Sequence, residues 1–356
     1  SCMGFYVFPK VASRAGRLHN VYSRMSDAAR DNTGTNSAAL KIQTHQEIQA
    51  SKLVGVYGRE LCVSIDSPSG TITNIDVTAQ SGRPSIVFGN RNTAHSFSGQ
   101  RFIVDGVMYR GGSAYIGASD DGFYKLDGCT IRNVKGDNPF QVLNRTAYRN
   151  STFENWEAPA IALSTVVSGL PVNSVENVTN TFSNIRATGE GSSGSIQIQT
   201  SDSSLSNIQS VLFDGEASGG FILVGDDNTA SFSSIGASTN ALHIIGDKND
   251  VQSLGIKGQT SGRSVFFPSG STGNYVYGEG LDSSNGVLDS DLTNAWKGMT
   301  SITSRLEDIG SGVNIAGKKP GRAVKNIITG AFVFASGYDP GDRWENADGT
   351  IAHLPL

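Results

Sequence analysis

The sequence predicts an all-β chain wound as a parallel β-helix, and three observations carry that prediction. A five-residue phrase returns along the chain: TIRNV from Thr130, TFENW from Thr152, TFSNI from Thr181, VLFDG from Val211, SFSSI from Ser231, SLGIK from Ser253 and YVYGE from Tyr275. Successive starts are 22, 29, 30, 20, 22 and 22 residues apart. A second β-like series interleaves with it: FYKL at Phe123, FQVL at Phe140, IALS at Ile161, IQIQ at Ile196, FILV at Phe221, LHII at Leu242 and VFFP at Val265. The intervals between the runs are rich in Gly, Asp, Asn and Ser and carry no helical period, so the runs read as strands joined by turns. A fixed period of strands without helices marks a solenoid, whereas a propeller needs about 40 residues and four strands per blade.

Coils of such a solenoid stack about 4.8 Å apart, so equivalent positions form columns. Ile131, Phe153, Phe182, Leu212 and Phe232 are expected in one buried apolar column. Asn133, Asn155, Asn184, Asp214 and Ser234 form a polar column at a bend, where side chains bond along the stack. Lys135, Glu157, Arg186 and Glu216 alternate in sign, and Arg132 faces Glu154. Stacked opposite charges of this kind are ordinary cross-strand stabilisers. The repeat occupies residues 51–285. Residues 1–50 are polar and mixed, with no clean period, and SCMGFYVFPKVASRAGR reads as the start of an excised fragment. Within 286–310, Leu292, Trp296, Met299, Leu306 and Ile309 are spaced by 4, 3, 7 and 3, which predicts a helical linker with a heptad-like seam. Residues 311–356 return to β patterning, with turns at GYDPGD and NADGT. An open solenoid end needs a cap, and a seam followed by strands points to capping by association.

The bulk composition narrows the function classes. Charged residues make up 17% of the 356 and the net charge is −4, so no general field draws nucleic acid or an anionic membrane. No stretch approaches 18 apolar residues. Cys2, Cys62 and Cys129 are odd in number and lack a CxxC, which suggests neither a disulfide framework nor a zinc site. No phosphate-binding GxxxxGK[ST] loop occurs and the histidines lack ligand spacing, so no metal or cofactor is expected.

Loop lengths locate a candidate site. The connections 144–151, 165–180, 200–210, 225–230 and 246–252 are 8, 16, 11, 6 and 7 residues long. TVVSGLPVNSVENVTN and TSDSSLSNIQS read as two long loops beside the short NRTAYRNS, and a wall beside a short turn makes a groove. The short turn carries Arg145, Tyr148 and Arg149; Lys125 and Gln141 are expected to face outward just before it; Glu176 stands in the wall and Asp202 in the next loop. Arginine holds a carboxylate in bidentate fashion. Neutralising a uronic acid in this way eases removal of its α-proton, with Tyr148 as proton shuttle and Lys125 as auxiliary base; that chemistry is β-elimination. Hydrolysis needs two carboxylates instead, about 5–5.5 Å or about 6.5–9.5 Å apart, and Glu154, Glu157, Glu176, Glu190 and Asp202 are the candidates. Gln141, Arg145, Glu154, Trp156 and Glu157 complete the expected substrate-binding set. Asp226 and Asp247 sit in GDDN and GDKN, which are turn signatures, and His243 is expected on the surface.

The Gly/Ser/Asn-rich coils, the Asn-bearing turns and the ending GDRWENADGTIAHLPL together resemble bacteriophage tailspike depolymerases. The resemblance covers residues 70–356 in style and is specific over the last 30 or so. It implies a single-stranded right-handed parallel β-helix whose C-terminal β-rich segment is a trimerisation clasp. It further implies a homotrimer on a phage tail, within the virion, that binds and usually cleaves a bacterial capsular or surface polysaccharide. The favoured expectation is β-elimination on an acidic polysaccharide, because the proposed groove has more Arg, Lys and Tyr than acids; glycoside hydrolase, non-cleaving adhesin and purely structural fibre are the alternatives.

Overall fold

The structure is a computed structural model, and it describes residues 5–7, 16–24, 38–43, 47–57, 61–66, 69–79, 83, 85–88, 97–100, 102–117, 124–142, 146–163, 177–189, 196–210, 220–235, 241–257, 264–279, 287–289, 293–297, 323–325, 332–335, 344–346, 348 and 350–353. Successive strands alternate between two sheets of twelve strands each. A short-strand sheet runs from Phe5–Val7 through Phe140–Val142 and Ile161–Leu163 to Val287–Asp289. A long-strand sheet runs from Gly16–Arg24 through Thr130–Gly136, Thr152–Ala158 and Thr181–Ala187 to Ala295–Lys297. Neighbours within both are parallel. A third parallel sheet holds Phe97–Gln100, Tyr124–Asp127 and Thr146–Arg149. The chain is therefore an all-β parallel solenoid with coils of the right-handed type.

The columns follow the predicted logic. Ile131 pairs with Phe153 and Phe153 with Phe182, all three buried. The rings of Phe153 and Phe182 stack 5.0 Å apart at 8°. The fourth member is a correction: it is Leu205, not Leu212. TSDSSLSNIQS is not a loop, because Ser204–Ser210 is a full strand of the long-strand sheet. Phe232 belongs to the next inward column, opposite Ile208, because a bulge shifts register between Leu205 and Ile208. FYKL also differs from the reading, since Tyr124–Asp127 lies in the third sheet and Ala114–Ile116 takes the corresponding place beside Phe140–Val142.

Two further boundaries move. The solenoid sheets begin at Phe5 rather than at residue 51, and they run on to Lys297. Trp296 lies in the strand Ala295–Lys297 opposite Val276, so it is not part of a helical seam. Met299, Leu306 and Ile309 lie outside the described residues. The C-terminal β segment contains a four-stranded antiparallel sheet made of Ala323–Lys325, Phe332–Ala335, Trp344–Asn346 and Ile351–His353.

The coil turns corners by two devices. In the eight successive long strands from Gly16–Arg24 to Ser204–Ser210 one residue adopts the left-handed conformation, which lets the backbone bend without ending the ladder. Asn133, Asn155, Asn184 and Asn207 do so with φ of 57°, 57°, 54° and 53°. Asparagine tolerates this region better than other residues with a β-carbon. The second corner is buried and lined by side chains that accept the backbone N–H groups of the neighbouring coil. Cys129 N–H donates to Ser151 Oγ, Ser151 N–H to Asn180 Oδ1, Asn180 N–H to Ser203 Oγ and Ser203 N–H to Asn228 Oδ1. The chain continues through Asn249 and Asn274 to Asn294. These bonds satisfy donors that a dry corner would otherwise orphan.

The acids of GDDN and GDKN are turn elements, as their sequence context predicts. Asp247 N–H donates to Asp226 Oδ1, and Thr272 N–H and Oγ1 donate to Asp247 Oδ1. Gly246 has φ of +127°, and an added Cβ would stand 2.3 Å from the Gly225 carbonyl oxygen, so only glycine fits.

Candidate functional site

The left-handed bend makes the long-strand sheet concave outside, and a cleft of about 420 Å³ runs along it. Its floor is the asparagine column. Gln209 Nε2 donates to Asn207 Oδ1 at 2.7 Å, Asn207 Nδ2 to Asn184 Oδ1 at 2.8 Å, Asn184 Nδ2 to Asn155 Oδ1 at 2.8 Å and Asn155 Nδ2 to Asn133 Oδ1 at 2.9 Å. Asn133 Nδ2 then donates to Asp105 Oδ1 at 2.6 Å. All the amides point the same way along the axis, and the run ends on a carboxylate. A chain of this kind polarises and strengthens its own members. Each amide still has a second N–H and a second lone pair, and these recur once per strand spacing of about 4.8 Å.

The wall beyond the asparagines carries the alternating charges. Glu157 is gripped from both sides, by Lys135 Nζ at 2.7 Å and by Arg186 Nη1 at 3.4 Å. On the row before the bend, Arg132 Nε and Nη2 donate to Asp105 Oδ2 at 2.9 and 2.8 Å. The Asn133 amide, then the Arg132 guanidinium, hold the Asp105 carboxyl below the usual carboxylate range. Asp127 is held down in the same way, first by the Asn150 amide and then by Arg149. Glu154 occupies the Arg132 row, half-exposed, and makes no ion pair among the described residues.

Two predicted site residues are corrected. Tyr148 is not on an exposed turn: it is 1% exposed, and its hydroxyl donates into the core to the carbonyls of Leu163 and Gln199. Its neighbours Thr146 and Ala147 are buried with it, because TAYR is a strand of the third sheet. Burial pushes the Tyr148 phenol far above its ordinary value, so it does not exchange protons with a substrate in the groove. Trp156 is 1% exposed, its indole Nε1 donates to the Ile131 carbonyl at 2.8 Å, and its ring packs on Phe140 and Phe153. It is a core residue, not a surface on which a sugar stacks.

The other predicted residues are scattered. Arg149 is exposed and bound to Asp127 at 2.9 Å. Gln141 is exposed on the short-strand sheet, opposite Tyr115 and Ala162, and not beside Arg149. Lys125 lies in the third sheet opposite Ala147. Asp202 is exposed at a left-handed turn with φ of 49°. Arg145, Glu176 and Glu190 lie outside the described residues. Glu157 joins the groove, while Tyr148, Asp202 and Gln141 do not. The residues that line the floor, above all Asn207 and Gln209, were hidden in a segment whose Ser-Leu-Ser-Asn-Ile pattern was the available signal.

Other chemically active groups have structural surroundings. Cys62 and Cys129 are buried thiols, and burial pushes the Cys129 thiol up to about 11. His243 is half-buried against Phe266, with ring centroids 4.7 Å apart, and burial lowers its pKa. Among the described residues no group of three or more His, Cys, Asp or Glu is gathered to hold a metal. No family model, curated protein or solved structure matches this chain.

Proposed function

We propose that this protein is a bacteriophage tailspike-type protein that lays a bacterial surface polysaccharide along the asparagine groove and depolymerises it outside the host cell. The observation that carries the reading is the groove floor, where spare amide donors and acceptors repeat at one strand spacing along the axis. A repeating polymer of hydroxyl-bearing rings is the ligand that such a rail suits. Lys135 and Arg186 on the wall favour a polymer that carries carboxylates. Assembly as a homotrimer through the C-terminal segment belongs to the same proposal.

With Tyr148 in the core, β-elimination loses its proposed shuttle, and two-carboxylate hydrolysis is the chemistry retained. Glu154, half-exposed on the row before the bend and outside any ion pair among the described residues, is the acid proposed to take part. A second reading, an adhesin that binds without cleaving, is favoured by one observation. Asp105, Asp127 and Glu157 are all neutralised by cations, which suits grip rather than proton transfer.

Incubation of the full chain with a panel of purified bacterial capsular and surface polysaccharides separates these outcomes. Binding with new reducing ends supports hydrolysis, and ultraviolet absorbance of unsaturated uronic acids marks a lyase. Binding with neither signal supports the adhesin. A panel to which the chain binds nowhere overturns the polysaccharide reading.

A further inference from the structure

The asparagine bend stops at Asn207, and past it the long-strand sheet changes character. On the strand Tyr275–Glu279, Tyr275 and Tyr277 are two residues apart and so project from the same outward face. Their rings lie 5.5 Å apart at 26°, an offset parallel pair, and both are half-exposed. In register beside them stand Asp250 next to Tyr275 and Gln252 next to Tyr277, both exposed. One strand further, Thr229 faces Asp250 and Ser231 faces Gln252. Among the described residues, no side-chain hydrogen bond or ion pair engages Asp250, Gln252 or either tyrosine hydroxyl.

We propose that Tyr275 and Tyr277, with Asp250 and Gln252, form a second glycan contact that stacks a neutral pyranose unit of the polymer. The inference rests on the polysaccharide reading and adds a subsite to it. The electron-rich faces of the tyrosines match the slightly positive axial C–H bonds of a pyranose. Asp250 and Gln252, about 4.8 Å to one side, accept from and donate to the ring hydroxyls. A carboxylate at Asp250 accepts well from two neighbouring hydroxyls and repels an anionic sugar, which selects a neutral unit. A protein partner would need a continuous apolar face, and Asp250, Gln252 and Lys297, in register beside the rings, interrupt one. The platform lies three strands, about 14 Å, beyond the strand of Asn207 on the same sheet, so one extended polymer reaches both.

The test is equilibrium binding of the full chain to the polysaccharide panel above, extended with neutral hexose oligomers. Tyr277→Ala, Tyr277→Phe, Gln252→Ala and Lys135→Ala are compared with the unmodified chain. The proposal expects Tyr277→Ala to weaken binding of the preferred glycan about tenfold or more. Tyr277→Phe, which keeps the ring, stays within about twofold, and Gln252→Ala loses several-fold. If the unmodified chain binds a glycan and Lys135→Ala weakens it while Tyr277→Ala and Gln252→Ala do not, the groove stands and the platform is overturned. Equal weakening by Tyr277→Ala and Tyr277→Phe likewise overturns ring stacking. If the unmodified chain binds nothing, the polysaccharide reading falls and the platform with it.

Discussion

Replacing Tyr148 by phenylalanine separates a catalytic role from a structural one. The change keeps the ring against Phe153, 5.2 Å away, and removes only the hydroxyl. That hydroxyl serves two core carbonyls, Leu163 and, at 2.7 Å, Gln199. Leaving buried acceptors short of a donor costs about 1–3 kcal/mol. A chain of 356 residues has an unfolding entropy near about 0.75 kcal/mol/K if it melts as one unit. The expected fall in melting midpoint is then about 1–4 °C, and larger if the solenoid melts in segments, since each segment then carries less entropy. Circular dichroism melts and denaturant midpoints of the two chains measure the shift. Polysaccharide binding and any turnover should stay within about twofold, because the hydroxyl does not reach the groove. A rate lower by about 10²–10⁴ with an unchanged melt would show that the hydroxyl meets substrate after all and would refute the core assignment.

Three further outcomes are expected. Asn155→Gly and Asn155→Ala both lose the bonds to Asn133 and Asn184, but only alanine is strained at φ of 57°; alanine should therefore be less stable than glycine by about 1 kcal/mol in denaturant titrations. Equal losses would show that the bend imposes no strain. Tyr109 and Tyr148 are both pushed above the ordinary tyrosine range by burial, so their contribution is intact below about pH 10 and lost as pH rises beyond it. Asp105 and Asp127 are held low, so their contribution is present above about pH 4 and lost as pH falls. Denaturant midpoints measured against pH should therefore show a plateau with losses at both ends. Sedimentation of the intact chain should give a trimer, and deletion of residues 310–356 should leave monomers or aggregates; a stable trimer after deletion would remove the clasp from the proposal.

The solenoid was legible because its inward residues repeat a chemical type at a fixed interval, and a parallel stack demands that repetition. Thr-apolar-x-Asn-apolar marks three coils correctly, at Thr130, Thr152 and Thr181. The next coil is carried by SLSNI at Ser204, which keeps an apolar residue at Leu205 and the bend asparagine at Asn207 but replaces Thr by Ser and the ring by Leu, so VLFDG, seven residues later, competes with it. The first coils escaped for a related reason. Their bends use Asn20, Lys52, Asn74 and Gly106, so the left-handed position is kept while the letter changes. The site was less legible than the fold, because reading the strand Ser204–Ser210 as a loop removed Asn207 and Gln209, one end of the groove floor. Tyr148 failed differently. Polar letters around it suggested a turn, yet Thr146 to Tyr148 are all buried in the short third sheet, whose strands are too brief to show a period.

These errors share a physical cause that bears on where activity lies. In a stacked solenoid a residue in the repeated phrase has its neighbours above and below as its main partners, so its chemistry is largely satisfied within the column. Glu157 shows this directly: it looks like a candidate acid in the sequence and is held between Lys135 and Arg186 in the fold. Trp156 shows it for an aromatic ring, which the coil consumes as core. Residues available to a ligand should therefore be those at which a column loses its regular partner. The Arg132 row does so at Glu154, where Asp105 takes the guanidinium and leaves the next acid without an ion pair among the described residues. The long-strand face does so again at Tyr275 and Tyr277, where rings follow polar side chains in the same rows. The two breaks lie on one sheet, five strands or about 24 Å apart. That separation suits a polymer gripped at more than one unit, and it is the reason that substitutions at Glu154 and Tyr277 should affect the same ligand.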